Sequence, residues 1–151
     1  MSQSNPYRYR CHHCGTRNNI PVDKAGKTGK CGKCGAPLET ADLLRSDPVM
    51  VSDANFETMV LKSPLPVLMF CWAPWCPSCK TLAPVIDEFA RDARGRVRVG
   101  KLNVDPNPQL STRFDIRSVP FLFVFDGGQL KESFPGGGSK HELMMKMTRY
   151  L

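Results

Sequence analysis

The chain has 151 residues, of which 41% are hydrophobic and 23% are charged, and it carries a net charge of +7. This composition is that of a globular protein, because no stretch approaches the roughly 18 apolar residues of a membrane-spanning helix. The first ten residues contain no apolar segment of the kind found in secretory signals, which predicts a cytoplasmic location. In a reducing compartment, the seven cysteines are expected to be metal ligands, catalytic groups or buried thiols rather than structural disulfides.

The positive charge is concentrated in residues 1–45, which contain eight lysines and arginines against three acidic residues. This segment shows little hydrophobic periodicity and many turn-forming residues, such as Asn18-Asn19 and Ala25-Gly26. A segment of about 40 residues without a large core rarely folds unless disulfides or a metal hold it. We therefore predict a small metal-stabilised module over residues 1–45.

Two Cys-x-x-Cys pairs supply the ligands of this module. Sixteen residues separate them, which lies within the spacing range of four-thiolate zinc sites. Each pair forms a tight knuckle with two thiolates, and the intervening loop brings the knuckles together as a tetrahedron. The predicted zinc ligands are Cys11, Cys14, Cys31 and Cys34.

The residues beside these cysteines are expected to serve the turns rather than the metal. His12 and His13 are predicted to lie on the surface, because four cysteines already complete the ligand set. Gly15, Gly32 and Gly35 suit knuckle turns, because glycine tolerates positive φ. The alternatives to a zinc site are two local disulfides or an unstructured basic tail.

Residues 46–151 alternate between strand and helix patterns, which is typical of a layered α/β domain. The continuous apolar run Pro66–Trp72 indicates a strand covered on both faces. In chain order, the predicted elements are strand 49–51, a helix ending near 62, strand 66–72, helix 75–91, strand 97–104, helix 108–114, and strands 121–125 and 130–134. A terminal helix capped by Ser139 follows, Asp126-Gly127-Gly128 forms the hairpin turn, and Pro84 is expected to bend its helix.

The third Cys-x-x-Cys pair follows the apolar strand and opens a helix. At this position the first sulfur is expected to be exposed and the second to lie one turn below it. Unpaired backbone N–H groups at the start of a helix stabilise an anion, so the thiolate of Cys76 is the expected nucleophile. Cys79 would then resolve the mixed disulfide and leave an oxidised Cys76–Cys79 pair. Pro77 fits the first helical turn, where its missing N–H costs nothing.

Three motifs around this pair resemble those of thioredoxins. They are Trp72-Ala73-Pro74-Trp75-Cys76-x-x-Cys79-Lys80, Lys101-Leu102-Asn103-Val104-Asp105 and Ile116-Arg117-Ser118-Val119-Pro120. Together with the N-terminal cysteines, they make the whole chain similar to the zinc-containing class of this family, called thioredoxin 2. The resemblance implies an α/β thioredoxin fold over residues 46–151, with a mixed central sheet flanked by helices. A zinc-ribbon-like module over residues 1–45 would precede it.

The resemblance also implies a function, which is the reduction of protein disulfides by a thiol-disulfide oxidoreductase. Electrons would come from an NADPH-dependent, flavin-containing thioredoxin reductase. The implied cofactors are one structural zinc ion and the redox-active disulfide, without a bound organic cofactor. By the same resemblance, the peptide bond Val119–Pro120 is cis. The active-site support would come from Trp75, Pro77, Ser78, Lys101 and Pro120, and the substrate surface from Trp75, Val119, Phe121 and Gly136.

Three positions depart from the thioredoxin pattern. Pro77-Ser78 stands between the active-site cysteines in place of the usual Gly-Pro, and this dipeptide tunes the redox potential. Phe70 occupies the position of a buried aspartate that relays a proton from the resolving thiol. Phe121 replaces a common threonine and would make the substrate groove more apolar. Without the aspartate, Lys101 would be unpaired unless it reached solvent or faced a thiolate.

These departures lead to two hypotheses about the dithiol. A cation that favours the thiolate stabilises the reduced form, so we expect a potential less negative than the roughly −270 mV typical of thioredoxin. Resolution by Cys79 is expected to be slow at neutral pH, because its base is missing. The seventh cysteine, Cys71, lies in the apolar strand and is expected to be a buried, inert thiol.

Other functions stay open on the sequence alone. A more oxidising disulfide oxidant or isomerase would use the same chemistry. A redox-regulated, zinc-dependent client-binding protein would release its metal and unfold the basic module when the thiolates are oxidised. Nucleic-acid binding is the weakest alternative, because only the tail Tyr7–Arg10 interleaves aromatic and basic residues. Nothing in the sequence indicates a membrane partner or requires more than a monomer.

Overall fold

The computed structural model describes residues 5–151. Residues 1–4, which belong to the segment predicted to lack a secretory signal, lie outside the described residues. The strands are β1 (Tyr7–Arg10), β2 (Arg17–Ile20), β3 (Thr28–Lys30), β4 (Pro37–Glu39), β5 (Val49–Val51), β6 (Val67–Trp72), β7 (Arg98–Asn103), β8 (Phe121–Asp126) and β9 (Gln129–Pro135). The α-helices are α1 (Pro77–Asp92), α2 (Pro108–Arg113) and α3 (Lys140–Lys146). Short 3₁₀ turns cover Val22–Lys24, Thr40–Leu44 and Thr148–Tyr150, and a π-helical turn covers Glu57–Leu61.

The N-terminal part, which we call the ribbon (residues 7–44), consists of two antiparallel hairpins, β1–β2 and β3–β4. Its small core joins Tyr9, Leu38 and Leu43 to the later residue Leu65. The Tyr9 hydroxyl donates a hydrogen bond to the Glu39 carbonyl oxygen at 2.6 Å, which links the two hairpins. The segment treated above as a basic tail is therefore an ordered strand, because burial of Tyr9 fixes it.

The remaining part, which we call the main domain (residues 49–151), is built on one five-stranded sheet in the order β5-β7-β6-β8-β9. β5, β7 and β6 run parallel, and β8 and β9 are antiparallel to their neighbours. This arrangement is the mixed sheet that the resemblance to thioredoxins implied. The Asp126-Gly127-Gly128 turn joins β8 to β9, and both of its glycines have positive φ.

The central strand β6 explains the layered architecture. Successive side chains of a strand point to opposite faces, and β6 supplies apolar side chains to both. Leu68 and Phe70 pack beneath α1 and α3, whereas Val67, Met69 and Cys71 pack on the opposite face. Each of these five side chains is at most 1% exposed, so a continuous apolar run was the correct signal for a strand between two cores.

Two helix boundaries differ from the predictions. The first predicted helix, ending near residue 62, is a turn followed by the π-helical Glu57–Leu61. Helix α1 begins at Pro77 rather than near Trp75, because Cys76 is its N-cap residue. The terminal helix is capped as expected, since Ser139 and Glu142 form a reciprocal capping box.

Polar contacts attach the ribbon to the main domain. Arg98 of β7 is 8% exposed and binds Asp42 of the ribbon at 2.8 Å. Arg17 of β2 binds Asp126 at the end of β8 at 3.0 Å. The backbone N–H of Arg10 also donates to the carbonyl oxygen of Pro64 at 2.9 Å.

Candidate functional site

The third cysteine pair lies where β6 ends and α1 begins. Cys76 caps the helix, and its Sγ accepts a hydrogen bond of 3.1 Å from the backbone N–H of Cys79. The two cysteines form a disulfide with their Cα atoms 5.3 Å apart, within the usual range for such bonds. The backbone therefore holds the two cysteines at the separation that a disulfide requires.

Cys76 is less accessible than the helix position suggested. Its relative exposure is 4%, and that of Cys79 is 2%, so the expectation of one freely exposed sulfur was wrong. The Val119 carbonyl oxygen, 43 residues later in the chain, lies 3.6 Å from the Cys76 sulfur and forms part of its cover. Trp75, by contrast, is 67% exposed, which agrees with a position on an outer surface.

A loop against the dithiol carries the other predicted surface residues. Val119–Pro120 is a cis peptide bond, as the resemblance implied. Gly136 donates its backbone N–H to the Pro120 carbonyl oxygen at 2.9 Å. A Cβ at Gly136 would lie 2.9 Å from Pro120 Cβ and 2.8 Å from Leu82 Cδ2, so this close approach requires glycine.

Phe121 does not line the dithiol side of this loop. Its register partner is Cys71, and its ring packs 5.1 Å from that of Phe123 in the core on the other face of the sheet. The expectation of a more apolar groove from this ring is therefore not supported. The β8 side chain on the dithiol side is the next one, Leu122.

The position of the missing family aspartate is fully apolar. Phe70 is 1% exposed and belongs to the same core as Cys76 and Cys79. Lys101 lies opposite Phe70 in the β6–β7 register, but its Nζ binds the Asp87 carboxylate of α1 at 2.8 Å. The expected unpaired cation is thus wrong, because a carboxylate from the helix replaces the one that the strand lacks.

This apolar environment determines whether the Cys79 thiol is protonated in the reduced protein. Burial first, and then its hydrogen bond to Cys76, raise the pKa of Cys79 to about 11. Within residues 5–151, the buried polar side chains are those of Thr40, Ser63, Arg98 and Asn107. No carboxylate is therefore buried beside Cys79 in the described part of the chain, and the thiol keeps its proton at neutral pH.

Three further residues complete the surroundings of the dithiol. Asp105, at the end of the Lys101–Asp105 motif, accepts a hydrogen bond of 3.3 Å from the Trp75 indole. Pro77 and Ser78 are exposed in the first turn of α1. Asp105 belonged to a predicted motif without a role of its own, and Asp87 was not predicted, because only the packing of α1 brings it to Lys101.

Cys71 lies on the other face of β6 and is buried, as predicted. Burial, and secondarily the charge of Cys79, raise its pKa to about 12. Its thiol therefore stays protonated under the conditions in which the dithiol reacts.

The four N-terminal cysteines meet at one point between the hairpins. Their sulfur atoms all lie within 4.8 Å of one another, with 3.7 Å from Cys11 to Cys34 and 3.6 Å from Cys14 to Cys31. Tetrahedral Zn–S bonds of about 2.3 Å place sulfur atoms about 3.8 Å apart. The residues present therefore fit a four-thiolate metal site.

The two knuckles share one backbone design. The N–H groups of His13 and Lys33 each point to the first sulfur of their pair at 3.4 Å. Gly15 and Gly35 have φ values of 79° and 78°, as predicted, whereas Gly32 is not in that region and instead donates its N–H to Asn18 Oδ1 at 2.9 Å. Both histidines, His12 and His13, are exposed.

The protein itself favours a thiolate at one of these four cysteines. Hydrogen bonds from the backbone of Cys34, the side chain of Asn18 and the backbone of Lys33 lower the pKa of Cys31 to about 5. A metal-binding sulfur must be deprotonated. A backbone N–H from Ala36 lowers the pKa of Cys34, but burial and the neighbouring thiols outweigh it and raise this pKa to about 12. The hydrogen bonds therefore favour the thiolate of Cys31 but not that of every ligand.

Comparisons with known proteins agree with both sites. The family model described as "Thioredoxin" matches residues 47–149, and a zinc-ribbon model described as "Thioredoxin 2, N-terminal" matches residues 10–36. The thioredoxin of Synechocystis sp. is 46% identical over 101 residues, which cover 67% of this chain and 94% of that protein. Thioredoxin 1 of Nostoc sp. is 42% identical with the same coverage. The thioredoxin of Rickettsia felis is 42% identical over 94 residues, which cover 62% and 90%.

No helix within residues 5–151 is long and apolar enough to cross a membrane.

The "Thioredoxin" match spans more than half of the chain, and the disulfide pair lies at the helix start within it. Thiol-disulfide oxidoreductase chemistry follows from this membership. The chain belongs to the thioredoxin family and carries the N-terminal zinc ribbon of thioredoxin 2.

Proposed function

We propose that this protein reduces disulfides in protein substrates, with Cys76 as the nucleophile and Cys79 as the resolving thiol. The observation that carries the proposal is the asymmetry of the pair. The Cys76 sulfur accepts a backbone N–H at the start of α1, which stabilises a thiolate. The Cys79 thiol lies one turn further into the core, where burial raises its pKa to about 11.

The reaction then has two exchange steps. The Cys76 thiolate attacks one sulfur of the substrate disulfide, forms a mixed disulfide, and releases the other substrate sulfur as a thiolate that takes up a proton. Cys79 next loses its proton and attacks the Cys76 sulfur. The second substrate thiolate leaves, and two electrons have passed from the protein to the substrate while Cys76–Cys79 becomes a disulfide.

The substrate would approach through the exposed rim beside Cys76. Trp75 supplies a large exposed ring, and Val119 presents the carbonyl oxygen that lies beside the Cys76 sulfur. Gly136 keeps the neighbouring surface flat, because a side chain there would collide with Pro120. Backbone groups of the rim would pair with an extended substrate segment, as in strand addition.

We further propose that the four ribbon cysteines hold one Zn²⁺ with a structural role. A closed four-thiolate set leaves no open position for a substrate. The small core of the ribbon, in which Cys11 and Cys31 are buried, is consistent with a module over residues 1–45 that needs its metal to fold. A cytoplasmic monomer recharged by an NADPH-dependent thioredoxin reductase stays the predicted setting.

The test is insulin reduction coupled to NADPH oxidation by thioredoxin reductase. Cys76→Ser should abolish turnover, because no mixed disulfide forms. Cys79→Ser should accumulate the mixed disulfide, detectable by mass, without turnover. Cys71→Ala serves as the matched cysteine control and should retain activity. Turnover by the Cys76→Ser variant would refute the assignment.

A more oxidising disulfide isomerase is the second candidate, and the exposed Pro77-Ser78 dipeptide favours it. Lys101 does not favour a high potential as an unpaired cation, because Asp87 neutralises it. A glutathione redox titration separates the two functions. A value near −270 mV is expected for a reductase, and a value near −180 mV is expected for an isomerase, by analogy with about these potentials in known proteins.

A further inference from the structure

A cavity lined by arginines lies between the ribbon and the main domain. Its volume is about 160 Å³, and its charged lining consists of five guanidinium groups and one carboxylate. We call it the arginine pocket and define it by Arg8, Arg10, Arg17, Arg96, Arg149 and Asp126. The first three residues belong to the ribbon and the others to the main domain, so neither part forms the pocket alone.

The single carboxylate of the pocket is already shared. Arg10 and Arg17 face each other directly across the β1–β2 hairpin, an arrangement in which like charges destabilise a strand pair. Asp126 offsets this repulsion by binding Arg17 at 3.0 Å and Arg10 at 3.6 Å. One side of the pocket is thus a carboxylate held between two guanidinium groups.

The other three arginines have no carboxylate within the pocket. Arg96 donates to the carbonyl oxygens of Pro6 and Asn5 at 2.8 and 3.2 Å, which fixes its position without neutralising its charge. Arg149 approaches Glu132 only at 3.9 Å and is 74% exposed. Arg8 makes no ion pair and no side-chain hydrogen bond with the described part of the chain.

The charge and shape of this cavity point to an oxyanion. Guanidinium groups bind phosphate oxygens through paired N–H donors, and this geometry is more specific than that of lysine. We propose that the arginine pocket binds a small phosphate-class oxyanion beside Arg8, Arg96 and Arg149. The bound anion would pair with these three arginines in the way that the Asp126 carboxylate pairs with Arg10 and Arg17.

The volume of the arginine pocket limits the size of its ligand. Drug-sized molecules occupy pockets of about 300–1,000 Å³, which exceeds the cavity here. A cavity needs about 10–15 Å³ of this volume to hold one water molecule, so about 160 Å³ accommodates one or two phosphate groups with their remaining water. Inorganic phosphate, pyrophosphate, or the terminal phosphate of a larger molecule satisfies this limit.

Binding at this place would couple the two parts of the chain. A ligand that contacts the ribbon through Arg8 and the main domain through Arg96 binds only when the parts are assembled. Ligands that bind the folded state alone raise its stability with their concentration. The assembled protein should therefore unfold at a higher temperature in phosphate than in chloride at the same ionic strength.

The experiment is isothermal titration calorimetry of the full-length, zinc-loaded protein with inorganic phosphate, pyrophosphate and ADP, each at constant ionic strength set with sodium chloride. Saturable binding of phosphate or pyrophosphate is expected, with pyrophosphate the tighter. Arg8→Gln and Arg149→Gln should each weaken it at least tenfold. Arg113→Gln, an exposed arginine of α2 outside the pocket, is the matched charge control and should bind as wild type.

The outcomes separate the sources of the phosphate group. Tighter binding of ADP than of pyrophosphate would assign the site to a terminal phosphate of a larger molecule, and the reverse would assign it to a free anion. Equal loss of binding in the Arg113→Gln variant would show a diffuse charge effect and overturn the proposal. Absence of saturable binding by all three probes would also overturn it. Circular dichroism checks that each variant is folded, and insulin reduction reports the proposed function separately.

Discussion

Replacement of Phe70 by aspartate tests how the resolving thiol loses its proton. Burial, the largest cause of the pKa of about 11 that Cys79 has in the reduced pair, persists in the mixed disulfide, so less than about 1% of this thiol is ionised at pH 7. A raised thiol pKa leaves less thiolate at any pH below it, so resolution becomes faster as the pH rises. The rate of resolution in the wild-type protein should therefore rise about tenfold per pH unit between pH 7 and 9.

An aspartate at position 70 would supply a base within the same core as Cys79. Positioned general bases contribute about 10²–10⁴-fold, so Phe70→Asp should accelerate resolution about 100-fold at pH 7 and flatten the pH profile. The substitution also removes a ring that is 1% exposed, which costs about 3–5 kcal/mol by analogy with Phe→Ala changes. Phe70→Asn is the matched control, because it has the same size and polarity but no base.

Resolution can be followed with substoichiometric dithiobis(nitrobenzoate) on the reduced, zinc-loaded protein. Attack by Cys76 releases one nitrothiobenzoate, and resolution by Cys79 releases the second, which stopped-flow absorbance separates. Cys79→Ser should release only the first. A second phase that does not change between pH 7 and 9 in the wild type would refute the reasoning, as would equal acceleration by Phe70→Asn.

Two further substitutions test the rim and the attachment of the ribbon. Gly136→Ala should lower insulin-reduction kcat/KM about tenfold, because its Cβ would displace Pro120, 2.9 Å away, and small misplacements at an active site are costly; unchanged kcat/KM would contradict this role. Asp42→Asn should lower the urea-derived free energy of unfolding by about 1–2 kcal/mol, because Arg98, with its side chain 7% exposed, loses its partner. This value is smaller than that for a fully buried pair, because the side chain of Asp42 is 38% exposed. Asp47→Asn, in an exposed pair, should change it by less than about 0.5 kcal/mol, and an equal loss in both variants would mean that Arg98 does not need the carboxylate.

Sequence patterns predicted the features that depend on local order. The apolar run of β6 indicates burial on both faces, the Ser139 cap indicates a helix start, and each Cys-x-x-Cys pair indicates a turn with two sulfurs. These signals are complete within a few residues. Cys76 and Cys79 lie at the start of a helix, as predicted, although the expected exposure of the Cys76 sulfur was wrong.

The features that the sequence did not predict depend on contacts between distant segments. The Val119 carbonyl covers Cys76 from a loop 43 residues later. Asp87 neutralises Lys101 only because α1 packs over β7. The residues Tyr7–Arg10 look like a charged tail until Tyr9 is seen to close the ribbon core. No local pattern distinguishes such groups from ordinary surface residues.

The position of Cys71 has a consequence for competing reactions. This thiol is only five residues from Cys76 along the chain and could in principle capture the mixed disulfide before Cys79 does. The alternation of β6 instead places it in the core on the far side of the sheet, with hydrogen-bonded backbone between it and the dithiol. Its pKa of about 12 leaves a thiolate fraction of about 10⁻⁵ at pH 7. The sheet thus acts as a chemical barrier, so that a third cysteine in the same strand–helix unit does not divert electrons from the exchange.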